Sequence, residues 1–271
     1  MLKAGLNLDI ANDDYHADRE YISSSGLKLM LKDPRSYYKQ YILGEKESFS
    51  STAMDMGSYI HSLILEPHLT EAEFAIYPGA TRRGSVWEDF KALNSHKTII
   101  TKSQADKADA MIKEYNEGSI ILGKHGYENE VPYSSFFTDG FAEQTFCGNI
   151  NGVKIKVRFD YRKECEKFAS INDVKTTGDY CDKPSDAERI CRTWDYALSA
   201  ALYCDVAEQV TGRKHDFYFL FMSKKDHKVA LYRASEEMLE RGRAEYLEAI
   251  EKLKIARETG IYFENKIQEL K

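Results

Sequence analysis

Eight residues in the middle of the chain, from Val153 to Asp160, constrain the fold most. Val153, Ile155, Val157 and Phe159 alternate with Lys154, Lys156, Arg158 and Asp160, a period of two that fits a β-strand with unlike faces. Asn151-Gly152 stands directly before them, and this dipeptide accepts the left-handed backbone of a tight hairpin turn. Residues 140–150 are therefore predicted to form the antiparallel partner. The segment KFASINDVKTT, 167–177, reads as a third strand.

The flanks read as helices and two more strands. Ser23, Ser24 and Ser25 offer N-cap oxygens to a helix over 26–32, Asp33-Pro34 ends it, and a second helix follows over 35–43. A third, 54–65, is apolar on most sides and stops at Glu66-Pro67; a more polar one spans about 102–117. Beyond the meander, one long helix is predicted from Ser185 to Val210, closed by Gly212. Strands over 215–223 and 228–235 come next. The last helix runs from Glu236 to about Glu258, with Ser235 as cap and glutamates at its positive end. This order gives an α/β class: one domain over 1–271 with a central mixed β-sheet flanked by helices. Within it, 1–120 is a mainly helical part, 121–235 carries the sheet, and 236–271 holds the C-terminal helix.

Composition serves mainly to exclude. Hydrophobic residues make up 42% and charged residues 30%, ordinary for a globular chain. No apolar run reaches the ~18 residues of a membrane span, and the opening residues lack the apolar stretch of a signal peptide, so no membrane partner and a cytoplasmic location are expected. Five widely spaced cysteines without a C-x-x-C pair speak against disulfides and against zinc or iron–sulfur sites. A net charge of −6 weighs mildly against a nucleic-acid partner but permits a local basic lining.

Asp160 lies near the end of one strand, and Asp173-Val174-Lys175 near the end of the next. Residues two apart on a strand point the same way, so Asp173 and Lys175 project together. Asp160 joins them if the two strands are neighbours. Two carboxylates are hard oxygen ligands suited to Mg²⁺ or Mn²⁺. An ammonium beside them can orient an attacking water and stabilise developing charge. By itself the D…D-x-K spacing also describes a plain strand-end ion pair.

The blocks ISSSGLKLMLKDPRSYY, MDMGSYIHSLILEP, RFDY and INDVKTT follow one another as in RecE-like exonucleases (exodeoxyribonuclease VIII), members of the PD-(D/E)xK (restriction-endonuclease-like) nuclease superfamily. The chain resembles that family over roughly 12–211. The resemblance implies an exodeoxyribonuclease dependent on Mg²⁺ (or Mn²⁺). It implies His61, Asp160, Asp173 and the Val174 carbonyl as metal ligands, Lys175 as the motif lysine, and Glu143 as an acidic group near the metals. Phe159 stands where relatives carry proline. Tyr203 matches the tyrosine of a helical Q-x-x-x-Y pair, but Ser199 occupies the glutamine position, so Tyr203 reads equally as a DNA contact or as packed core. The relatives further imply 5′→3′ digestion of linear double-stranded DNA from its ends by a ring-shaped homo-oligomer. The 3′ single strand left behind would pass to a single-strand annealing protein in phage recombination.

Other DNA-binding candidates come from the residues themselves. Lys28, Lys32 and Arg35 accompany tyrosines on the first two expected helices, a mixture suited to phosphate contact and base stacking. Lys154, Lys156 and Arg158 are expected to share the face of Asp160. Arg82 and Arg83 lie in a basic loop. The glutamate-rich last helix is a poor DNA surface and is read as packing or an oligomer contact. Two competing readings remain: an iron–sulfur nuclease of the Cas4-like or helicase-associated kind, disfavoured because every cysteine lies after residue 146, and a catalytically silent DNA-binding protein of the same fold.

Overall fold

The computed structural model describes residues 1–8, 10–45, 52–79, 81–122, 129–166 and 168–263. Its first half contains β1 (Gly5–Asn7), α1 (Asn12–Ala17), α2 (Ser24–Lys32), α3 (Pro34–Tyr37), α4 (Thr52–Leu65), α5 (Thr70–Glu73), β2 (Phe74–Tyr77), α6 (Ser85–Leu93), β3 (Thr98–Thr101), α7 (Lys102–Glu117), β4 (Ser119–Leu122) and β5 (Asn129–Pro132). Then come β6 (Phe141–Ile150), β7 (Val153–Glu164), β8 (Ala169–Thr177), α8 (Pro184–Thr193), α9 (Tyr196–Thr211), β9 (Asp216–Ser223), β10 (Val229–Arg233) and α10 (Glu236–Thr259).

The expected hairpin is present. Asn151 and Gly152 are both left-handed, with φ of 51° and 85°, and Ile150 pairs with Val153 across the turn. The main sheet has the order β1-β6-β7-β8-β9-β10. Its neighbours are antiparallel except β8 and β9, which run parallel. A parallel pair needs a long crossover, and α8 with α9 supply it. The sheet is therefore mixed and flanked by helices, as the sequence predicted.

Helices cover both faces. Phe217, Phe219 and Phe221 of β9 pack in one core with α2, α8, α9 and α10, whereas Leu220 and Met222 pack in a second core with α4 and α7. A strand buried on both faces reads as a nearly continuous apolar run, which explains why HDFYFLFMS was recognisable.

The long helix expected over 185–210 is two helices. Trp194 caps α8, Asp195 turns left-handed at φ 50° and ψ 44°, and the chain restarts at Tyr196. Aspartate tolerates this conformation better than most residues, and no glycine or proline marks the break. The strands before residue 133 were also not expected, because runs of three or four residues carry too little periodicity to read. Residues 38–42 wind as a π-helix that extends α3. α10 ends at Thr259 on a left-handed Gly260, φ 72°, and the remainder of the expected C-terminal part, 264–271, lies outside the described residues. Among the described residues no helix is long and apolar enough to cross a membrane.

Candidate active site

The site begins where β6 and β7 change face. Ala142 pairs with Tyr161 and Gln144 with Phe159, so Glu143 stands opposite Asp160. Glu143 is left-handed, φ 48°, an unfavourable conformation for a non-glycine residue in a strand. The alternation of side chains fails at this point. Phe159 packs against Tyr203 on the α9 side, and Tyr161, two residues on, packs against Phe137 in the opposite core. The Glu143 and Asp160 carboxylates sit at this switch. Asp160 Oδ2 accepts a hydrogen bond from the Val174 amide at 2.8 Å, which ties β7 to β8 just past their last ladder pair, Tyr161 with Asn172.

α4 brings the histidine. Gly57 lies one turn before His61, and a Cβ there would come within 3.1 Å of Thr176 Oγ1, so the glycine lets α4 lie close on β8. His61 Nε2 then donates to the Val174 carbonyl at 2.8 Å, and its Nδ1 is 3.7 Å from Asp160 Oδ2. His61, Glu143 and Asp160 each place a ligand atom within 4.8 Å of the other two.

β8 brings the remaining pair. Lys175 Nζ lies 2.6 Å from Asp173 Oδ2 and 3.9 Å from Asp160 Oδ2. Asp173 is only 5% exposed. Burial, reinforced by Asp160 and opposed by Lys175, pushes its carboxyl up to about 7. Burial and Asp160 likewise push Glu143 up to about 8. Burial works against the charge on Lys175, but Asp173 and Asp160 override it and hold the ammonium well above the usual lysine range. Burial lowers His61, which keeps its imidazole neutral. Three carboxylates around one ammonium leave negative charge in excess, and the nitrogen and oxygen donors suit a hard divalent cation. In this arrangement Asp173 engages Lys175, while the Val174 carbonyl is already hydrogen-bonded to His61. Glu143, not Asp173, completes the three-residue cluster.

The helical side adds groups that sequence reasoning did not single out. Lys175 and Lys28 both approach the ring of Tyr196, at 5.5 and 5.2 Å from its centroid. Lys28 Nζ also donates to the Trp194 carbonyl at 2.9 Å. Burial, then Lys175, lowers Lys28 to about 8. Tyr196 precedes Tyr203 by two helical turns on the same helix, the one available clue. Tyr203 itself packs against Phe159 and Phe217 at 5.7 and 6.3 Å, and burial pushes its hydroxyl up to about 12. Ser199 is half-buried one turn before it.

The remaining cations are placed unevenly. Lys32 pairs with Asp195 at 2.5 Å. Arg35 is exposed and lies 5.0 Å from the Phe263 ring. Arg82 donates to the Ile99 carbonyl at 2.7 Å and to Gln104 at 3.2 Å and covers Trp87, so it pins β3 and α7, while Arg83 is exposed. Of the expected basic stripe, only Arg158 reaches the edge of the site. Lys156 donates to the carbonyls of Tyr15 and Asp18, Arg158 to the Ile10 carbonyl at 2.8 Å, and Lys154 pairs with Glu20. These three hold down the N-terminal segment. Arg158 also borders a cavity of about 470 Å³ beside His61 and Glu143.

Residues 23–261 match the family described as "PDDEXK-like domain of unknown function (DUF3799)". The chain belongs to this family. Its structure is similar to that of a Eubacterium rectale protein described as a "Putative exonuclease", with a TM-score of 0.65 and 18% identity over 94% of this chain and 89% of that one. At that identity the likeness speaks for the fold. A second structure, of SSO0001, reaches a TM-score of 0.26 at 14% identity over 40% of this chain and 50% of that one, too low to carry weight. No curated protein matches the sequence. The PDDEXK-like core is thus the expected PD-(D/E)xK fold, and the divalent-metal use of such nucleases agrees with the cluster at His61, Glu143 and Asp160.

Proposed function

We propose that the chain is a divalent-metal-dependent exodeoxyribonuclease of the RecE type, which digests linear double-stranded DNA from its ends. The observation that carries this reading is the convergence of His61, Glu143 and Asp160 within 4.8 Å beside a lysine clamped between Asp160 and Asp173. His61, Asp160 and Asp173, helped by Glu143 and the Val174 carbonyl, would hold Mg²⁺ or Mn²⁺. A bound cation of this kind supplies Lewis-acid chemistry and a more acidic water. Lys175 orients that water and balances charge gathering on the phosphate. Lys28, beside the Tyr196 ring that Lys175 also faces, offers a phosphate contact.

Direction of digestion 5′→3′, a ring of subunits around the duplex, a single-strand annealing partner, a recombination role in phage and a cytoplasmic setting belong to the same reading. A net charge of −6 supports a confined, locally basic passage over an open DNA-binding face, because non-specific affinity comes from many phosphate contacts. The test is to incubate linear and covalently closed circular DNA of one sequence with protein, with Mg²⁺ or chelator, and follow acid-soluble nucleotide. Release from linear DNA alone, and only with metal, is expected. Rapid release from closed circles would replace the exonuclease reading with an endonuclease. No release from either form would favour the silent DNA-binding protein.

A further inference from the structure

The corner between α8 and α9 carries an exposed indole two residues before Tyr196, whose ring the proposed catalytic lysine faces. Trp194 is 60% exposed, and among the described residues no other ring or cation covers it, whereas Trp87, the other tryptophan, packs against Tyr77 under Arg82. A single exposed apolar residue needs no explanation; one locked in place at a reaction centre does. Asp195 is left-handed and is held by Lys32 at 2.5 Å. The Trp194 carbonyl accepts from Lys28 at 2.9 Å. Tyr196, two residues on, is stacked on Phe219 at 5.9 Å and faces Lys175. The backbone that carries the indole is therefore fixed at a corner that leads through Tyr196 to the Lys175 site.

Resting on the nuclease reading above, we propose that Trp194 is a stacking platform for an unpaired nucleobase of the substrate strand, next to the phosphate that Lys175 faces. Every base has a π-face, so an exposed aromatic ring suits single-stranded DNA of any sequence. Of the nearby cations, Lys28 remains for a phosphate contact, and two others are engaged by carboxylates. Lys32 faces Asp195, and Arg192 faces Glu188 at 3.6 Å, so a phosphate would compete with carboxylates already in place.

The test uses the full chain and single-stranded oligothymidylate, with Ca²⁺ replacing Mg²⁺ and the oligonucleotide checked for intactness. Emission of Trp194 is obtained by subtracting the spectrum of W194F from that of the wild type. Quenching of this difference by the oligonucleotide is expected. W194A should bind ~5- to 150-fold more weakly, the range for loss of one base–aromatic stack, and W194F should recover most of that loss. The factor for W194A should be the same at low and high salt, because a ring releases no counterions. Absence of quenching, or unchanged affinity in W194A, overturns the platform. Quenching without Mg²⁺-dependent hydrolysis by the wild type would leave the platform standing and remove the nuclease reading. Hydrolysis without quenching would do the reverse.

Discussion

The crowded carboxylates make a quantitative demand on the metal-free protein. Asp173 rises from 3.8 to about 7 and Glu143 from 4.5 to about 8, chiefly through burial and through each one's repulsion by Asp160. A raised carboxylate binds its proton more tightly in the folded than in the unfolded state. Its contribution is complete below the unfolded value and is lost as pH climbs through the folded one. His61, shifted downward, changes charge at lower pH, and the depressed lysines Lys28 and Lys156, at about 8, act with the opposite sign and offset part of the loss toward pH 8. Asp173 and Glu143 therefore dominate between about pH 6.5 and 8, where integrating the linkage for both predicts a loss of roughly 2 kcal/mol. Urea unfolding in chelator at the two ends of this window measures it. A double variant, Asp173→Asn with Glu143→Gln, should lose this drop, and saturating Mg²⁺ should remove it from the wild type. A double variant that keeps the wild-type drop would refute the assignment of the slope to these two groups.

Further outcomes test the division of labour in and around the site. Asp160→Ala should abolish Mg²⁺-dependent digestion of linear DNA and leave the metal-free protein no more stable, since the relief of repulsion with Asp173 and Glu143 is set against a buried Val174 amide left without its acceptor; an assay of nucleotide release with a melting curve reads both. Lys175→Ala should lose turnover yet keep Mn²⁺ affinity by calorimetry, because it removes no ligand. Gly242→Ala should lower the urea midpoint: the new Cβ would sit 2.0 Å from the Ala197 carbonyl oxygen, an overpacking cost of about 1–3 kcal/mol that exceeds the ~1 kcal/mol gain in helix propensity. Arg82→Ala should reduce melting temperature without changing DNA affinity, because its guanidinium is spent on Ile99 and Gln104.

Legibility in the sequence followed the range of the forces involved. The hairpin at Asn151-Gly152, the strand of β9 and the shared face of Asp173 and Lys175 are local consequences of turn chemistry and period, and they were readable. Placing His61 over β8 depends on Gly57 fitting against Thr176, a contact between distant segments that the sequence does not reveal; the family resemblance implied only that His61 is a ligand. The face switch at Glu143 was unreadable, because its left-handed backbone is stabilised by what surrounds it and not by a glycine. Of the basic residues expected on the face of Asp160, Lys154 and Lys156 instead hold the N-terminal segment, and Arg158 alone reaches the cavity beside His61. The break at Asp195 carried no helix-stopping residue, and so Trp194 and Tyr196 were hidden inside one expected helix.

The parallel pair β8–β9 has a consequence for how the protein comes into being. The strand bearing Asp173 and Lys175 is flanked by β9, which reaches it only after the α8–α9 crossover. The helix bearing Lys28 rests against α10, near the far end of the chain. Contacts of such long sequence separation close late, since the intervening chain must be ordered first. During synthesis the acidic residues of β6, β7 and β8 are in place long before the neighbours that bury them and crowd them together. The Asp173 carboxyl is therefore buried, and its pair with Lys175 enclosed, only after the last third of the chain has packed.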